Sequence, residues 1–288
     1  MISPRFGFLA LIVAIIGTVS AALAQAPKIA FPVPSPESTL KQKVGFTDIE
    51  IVYGRPGVKG RKIFGGLEPY GAVWRTGANS ATKISFSTPV RIGGVELPAG
   101  AYALYSIPGE SEWTVIFNKA TGEWGAYTYK AENDAVRVKA KPVALSELVE
   151  TFTIDLNDIR VESATLNLIW EKTRVPVKLE FETIKPVVAQ IEAALASGAA
   201  LPAGFYFTAA MFYYDNGLDL AKARAWIDEA TKGDKPPFYM LHGKAKILAK
   251  QGDKAGATVA ARASIAAADG AAKAEYIRLN ETLIANLK

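Results

Sequence analysis

From about residue 40 to 182 apolar and polar positions alternate with a period of two. Ile49, Ile51 and Tyr53 are spaced by Glu50 and Val52, and Ile84 and Phe86 by Ser85. Successive side chains of a strand point to opposite faces, so this pattern predicts half-buried strands. Val90–Ile92 and Val95–Leu97 flank Gly93-Gly94, which predicts a hairpin with a two-residue turn. Tyr102–Ile107, Trp113–Phe117 and Phe152–Leu156 continue the alternation, and Leu166, Leu168 and Trp170 match Val175, Val177 and Leu179 across Glu171–Arg174. About nine or ten short strands with frequent turns predict an antiparallel β-sandwich or barrel.

At about residue 183 the period changes. The rest of the chain is rich in Ala, the best helix former, and shows no strand-like alternation. Pro186 marks a helix start. Further helices are predicted at 205–214, 221–231, 238–251, 254–267 and 271–286, with turns at Asn216-Gly217, Gly233-Asp234 and Gly252-Asp253. Ala223, Ile227 and Ala230 have the spacing of the second helix of a tetratricopeptide repeat. A shift of 34 residues lands on Ala257, Ala261 and Ser264, and a shift the other way on Ala189, Ala193 and Ala196. The expected fold is therefore multidomain β plus α: a sandwich or barrel over 40–182, then an all-α tetratricopeptide-like region over 183–288. With fewer than three full repeats, the helices are expected also to pack on the β part.

The first 24 residues follow another rule. Arg5 precedes an apolar run from Phe6 to Val19, and Ala22-Leu23-Ala24 offers a small-x-small cleavage site. This predicts a signal peptide over 1–24 rather than a membrane anchor, cut before Gln25. The expectation is an exported chain, periplasmic or secreted, without a membrane span after cleavage. Residues 25–39, with Pro27, Pro32, Pro34 and Pro36, form an extended leader.

Composition narrows the chemistry. There is no Cys and a single His, His242. Disulfides, thiolate metal sites, Cys nucleophiles and zinc sites built on two imidazoles are excluded. No catalytic residue, metal ligand or cofactor is assigned. The net charge of +5 is spread over both halves, and with export it argues against nucleic acid.

One stretch departs from that even spread. Between Tyr53 and Arg75, Arg55, Lys59, Arg61, Lys62 and Arg75 face one acid, Glu68, among many glycines. Glycine lets backbone N–H groups approach an anion, and Arg presents a planar fork to carboxylate or phosphate. Together with Asn79 these residues are expected to converge on one surface as an anion-accepting loop. The competing reading is a structural connection whose arginines pair with acids such as Glu171. Trp124 and Tyr127, near a turn, are the aromatics expected to be exposed and able to stack a ligand, whereas Trp113 is expected in the core. His242 reads as an ordinary helix residue, Asp155–Asp158 as a strand-end turn rather than a calcium loop, and Asp215–Asp219 as a helix–helix turn with an N-cap.

The same stretch carries a resemblance. Tyr53-x-Arg55-Pro56-x-Val58-Lys59-Gly60-Arg61-x-Ile63-Phe64-Gly65 is followed by Tyr70-Gly71-x-Val73-Trp74-Arg75-Thr76-Gly77-Ala78-Asn79. With Leu97-Pro98-Ala99-Gly100-x-Tyr102, Trp113-x-Val115-Ile116-Phe117-Asn118 and Trp170–Val175, it resembles a bacterial exported family of unknown function, DUF2911, over about 40–182. The resemblance implies no catalytic residues. The favoured expectation is a non-catalytic exported binding or scaffold protein for an anionic small molecule, glycan, peptide or envelope polymer, with a possible protein partner at the helices. The alternative is a carboxylate-based hydrolase, for which Glu68, Glu123 and Glu171 are available.

Overall fold

A computed structural model describes Met1 and residues 31–287. The expected signal peptide apart from Met1, and residues 25–30 of the leader, lie outside the described residues. Ten strands come first: β1 (Glu37–Val44), β2 (Thr47–Gly54), β3 (Ala78–Phe86), β4 (Val90–Ile92), β5 (Val95–Leu97), β6 (Gly100–Ile107), β7 (Trp113–Asn118), β8 (Asp134–Ala140), β9 (Val143–Arg160) and β10 (Ser163–Glu180). They form two antiparallel sheets, β1-β2-β3-β6-β7-β8 and β5-β4-β10-β9, which do not close into a barrel. One buried cluster draws on both, including Ile51, Ile84, Leu104 and Phe117 from the larger sheet and Ile92, Phe152, Leu166 and Val177 from the smaller. That is a sandwich, held by the inward half of each alternating pattern. β1 starts at Glu37, inside the stretch read as leader, because the last proline is Pro36 and Glu37 can pair with Gly54.

Two local readings need correction or refinement. Asp155–Asp158 is not a turn: it lies within β9, with Asp158 at φ +50° and Asp155 Oδ1 accepting from Asn167 Nδ2 at 2.7 Å. β10 is an unbroken extended run of 18 residues, which straight would span roughly 60 Å. Yet the Phe181 N–H donates to Glu162 O at 2.9 Å, so the two ends of the run meet. The chain therefore doubles back within β10. Glu171, at φ +55° where the ladder to β9 shifts register, marks the reversal. This is how Leu166, Leu168 and Trp170 and then Val175, Val177 and Leu179 all enter the same core.

Six helices follow: α1 (Ile184–Ala196), α2 (Ala203–Asp215), α3 (Leu220–Ala230), α4 (Phe238–Lys250), α5 (Lys254–Ala267) and α6 (Lys273–Asn286). α1 begins two residues before Pro186, which still lies in the first turn, where its missing N–H costs no helical bond. Asp219 caps α3 through the N–H groups of Ala221 and Lys222. Ala223, Ile227 and Ala230 are buried, and so are Ala257, Ala261 and Ser264. Ala189, Ala193 and Ala196 are exposed, so the 34-residue periodicity of burial does not extend back to α1. Among the described residues no helix is long and apolar enough to cross a membrane.

The helices do not share the sandwich core. Their buried clusters contain no strand residue, and the sandwich cluster ends at Phe181. A carboxylate makes the link between them. Glu162 Oε1 accepts from Thr183 N at 2.9 Å and Ile184 N at 2.7 Å, supplying the cap that the Thr183 side chain does not.

Candidate functional site

The basic stretch is anchored by its apolar residues. Val58, Ile63, Phe64 and Trp74 are buried in the sandwich core. Phe64 meets Trp113 edge-on at 4.7 Å between ring centroids, and Trp74 stacks on Trp170 at 5.8 Å and 19°. Trp74 Nε1 donates to Gly77 O at 3.1 Å, so the indole is buried with its polar atom satisfied. With the apolar side chains drawn inward, the charged ones between them are left toward solvent.

The structure then sorts the candidate residues. Arg55 is a brace: Nε donates to Phe152 O at 3.0 Å and a terminal nitrogen to Thr153 Oγ1 at 2.8 Å, tying the end of β2 to β9. Lys59, at φ +49°, gives its backbone N–H to Glu150 Oε1 at 2.9 Å and keeps its side chain exposed. Arg61 folds onto its own loop, donating to Val58 O and Gly57 O. Lys62 is exposed. Among the described residues none of these cations, nor Arg75, makes an ion pair within 4 Å. Glu171 accepts from the Ile63 N–H at 3.5 Å rather than from an arginine.

Arg75 occupies a different setting. Trp74 and Ser106 exchange two backbone hydrogen bonds, of 2.7 and 2.9 Å. That register sets Arg75 opposite Tyr105, and Val73 opposite Ile107, on the outer face of the larger sheet. Val73, Tyr105 and Ile107 belong there to a small apolar cluster with Ala81, Ala103, Ile116, Ala126 and Tyr129. Arg75 Nε and Tyr105 Oη are both buried without a hydrogen-bond partner. Native proteins leave few such atoms unpaired, since each costs its lost hydration.

Two carboxylates complete the surroundings. Burial pushes the Glu68 carboxyl up to about 7, against the pull of Arg75 and then Arg61. Burial also raises the Tyr105 phenol, and the charge of Glu123 raises it further. Glu68, Arg61 and Arg75 thus form one electrostatic group, and Tyr105 and Glu123 join it across the outer face. Sequence reasoning named Glu68 and Glu123 without a place for them and passed over Tyr105. The apolar Ala103, Tyr105 and Ile107, on what would be the solvent side of β6, were the signal that this face is covered.

The covering segment is 119–130, and it carries the remaining candidates. Its middle extends β3: Ala81 N donates to Glu123 O and Gly125 N to Asn79 O, each at 3.1 Å, and Ser80 bridges Trp124. Asn79, at φ +64°, also donates from Nδ2 to Ser35 O at 3.0 Å. Trp124 is 65% exposed and Tyr127 84%. His242 lies apart on α4, with Nδ1 2.8 Å from Asn280 Oδ1. Among the described residues no group of three or more His, Asp or Glu is placed to hold a metal ion.

No curated protein and no solved structure matches the chain. A family model described as a protein of unknown function matches residues 35–179, half of the chain and the span of the sandwich from before β1 almost to the end of β10. By that match the chain belongs to the DUF2911 family.

Proposed function

We propose that the protein is an exported, non-catalytic binding protein whose sandwich takes an anionic ligand, carboxylate- or phosphate-bearing, at Arg75 and Arg61. The observation that carries this reading is Arg75: a guanidinium opposite Tyr105 whose Nε, among the described residues, is buried without a hydrogen-bond partner and which pairs with no acid there. An anion supplies what that fork lacks, and charge-assisted bonds to it are the strong kind. Lys59 and Lys62, exposed nearby in sequence, add attraction at longer range. Export rests on the amino-terminal pattern of residues 1–24, and the helices serve as support or as a surface for a protein partner.

A carboxylate-based hydrolase is the second reading, favoured by Glu68. A carboxyl raised to about 7 holds its proton near neutrality, as a general acid must. The test is calorimetric titration of the chain from residue 25 with polygalacturonate and with polyphosphate, beside Arg75→Ala. Binding is expected to weaken at least tenfold in the variant and to fall with added salt, while the melting temperature barely moves. Equal binding by both proteins would refute the anion reading. Release of reducing ends from the glycan, lost in Glu68→Gln, would establish the hydrolase instead.

A further inference from the structure

The helical half holds a groove of its own. It lies between α4 and α6 beside the end of α2, has a volume of about 510 Å³ and is open to solvent along one side. His242, Lys246 and Lys250, at i, i+4 and i+8, form one stripe of α4 and one wall. Leu279, Leu283 and Leu287 form the other wall from α6 and its end, with Thr282 and Asn286 among them.

The two walls are held at a fixed spacing. Asn280, fully buried on α6, donates from Nδ2 to Ser264 Oγ of α5 at 3.0 Å and to Tyr276 O at 2.7 Å. Its Oδ1 is therefore the acceptor of the 2.8 Å bond from His242 Nδ1. This network ties α4, α5 and α6 together beside the groove, and in the neutral ring it leaves His242 Nε2 as an acceptor.

The charge on the first wall is only partly answered from within. Lys246 and Lys250 both lie over the Tyr214 ring, 4.8 and 4.7 Å from its centroid. Lys250 also donates to Tyr214 O at 3.1 Å, and the acid paired with Lys246, the exposed Asp215, stands 3.9 Å away. Among the described residues no carboxylate lines the groove. The helix dipole favours a cation in the last turn of α4, which accounts for Lys250. A second cation one turn earlier gains little from the dipole and is repelled by the first.

We propose that the groove between α4 and α6 docks an extended acidic peptide segment of a partner protein, its carboxylates at Lys246 and Lys250 and its apolar side chains along Leu279, Leu283 and Leu287. The peptide's backbone groups match His242 Nε2 and the Thr282 and Asn286 side chains. A nucleic acid finds no stacking surface here, because the two ammoniums already occupy the Tyr214 ring. An acyl chain would stay half wet in an open groove, whereas small-ligand sites enclose most of their ligand. A flat bilayer cannot enter a concave groove. This inference goes beyond the anion reading and does not depend on Arg75.

The experiment follows the fluorescence anisotropy of labelled octapeptides with the chain from residue 25. The probes are alternating Glu-Leu, alternating Glu-Ser and alternating Lys-Leu. Glu-Leu is expected to bind, Glu-Ser roughly fivefold more weakly for want of apolar side chains, and Lys-Leu not at all. Lys246→Gln combined with Lys250→Gln is expected to weaken Glu-Leu roughly tenfold and to flatten its salt dependence. Lys246→Arg combined with Lys250→Arg keeps the charge and should restore binding. Lys232→Gln, at an exposed lysine outside the groove, should change nothing. Neither groove lysine is buried, and an unchanged midpoint at 222 nm checks that the variants fold. The groove is refuted if Glu-Leu does not bind, if the paired glutamines bind it as well as the parent, or if Glu-Ser binds as tightly. Capture by phosphatidylglycerol vesicles that is lost in the paired glutamines, without peptide binding, assigns the stripe to a membrane and refutes it too. Arg75→Ala should leave Glu-Leu binding untouched. If that change alone abolishes it, the peptide was held by the sandwich, and the groove fails while the anion reading stands.

Discussion

The two halves of the chain solve the packing problem with opposite materials. The sandwich fills its interior with large side chains, among them Trp113, Trp170, Phe117 and Phe152. The helical half is centred on alanines: Ala209, Ala210, Ala223, Ala230, Ala245, Ala257, Ala260 and Ala261 are all buried. Large residues hold sheets apart at a wide spacing and contribute much apolar area each. Small ones let helix backbones approach closely and contribute little each. The lesson is that equal burial does not mean equal vulnerability: one half is damaged by deletion of volume, the other by addition.

That contrast can be broken by experiment. Trp170→Ala removes the ring on which Trp74 stacks and should destabilise the sandwich by about 3–5 kcal/mol, read from urea unfolding followed by near-ultraviolet dichroism. Because the cores are separate, the helical signal at 222 nm should keep its midpoint. A common shift of both signals would mean that the halves unfold as one.

A smaller effect is expected from the converse change. Ala261→Leu inserts volume where α5 meets its neighbours and should cost about 1–3 kcal/mol, confined to the helical transition. If leucine is accommodated without loss, the close-packing account of this half is wrong.

The smallest effect sharpens the electrostatic side of the comparison. The folded Glu68 carboxyl titrates near 7, above its ordinary 4.5, so the folded chain holds that proton more tightly than the unfolded one. Its contribution is complete below 4.5 and is lost as pH rises through about 7. Glu68→Gln cannot lose a proton. The fall in the sandwich's urea midpoint between those two values should therefore flatten in the variant, and an unchanged slope would mean that Glu68 is not the group responsible.

Much of this was legible from periodicity. The strand and helix segments follow from the spacing of apolar residues, and the Ala223 and Ala257 triplets from a shift of 34. What stayed hidden was nonlocal. The opposition of Arg75 and Tyr105 depends on Trp74 finding Ser106, a pairing across 32 residues that no local pattern encodes. Glu68 read as a lone acid among cations, because burial rather than composition sets its behaviour. β9 runs on through the polar Asp155–Asp158 where that run suggested a stop, held by its ladder to β10 with Asp158 in the left-handed region. Ala189 has the right residue type in the right register but faces solvent, since a small residue is compatible with burial and does not enforce it.

The joint at Glu162 has a consequence for how such a chain can be assembled. One carboxylate oxygen receives the first two N–H groups of the helical half, and the matched family region ends at residue 179, just before them. The sandwich thus carries a socket of its own. Any segment that begins as a helix offers the same two donors, whatever its later sequence. Residues 182–183, just past the last core residue Phe181, are accordingly a splice point, where the appended module can be exchanged without redesigning either interior.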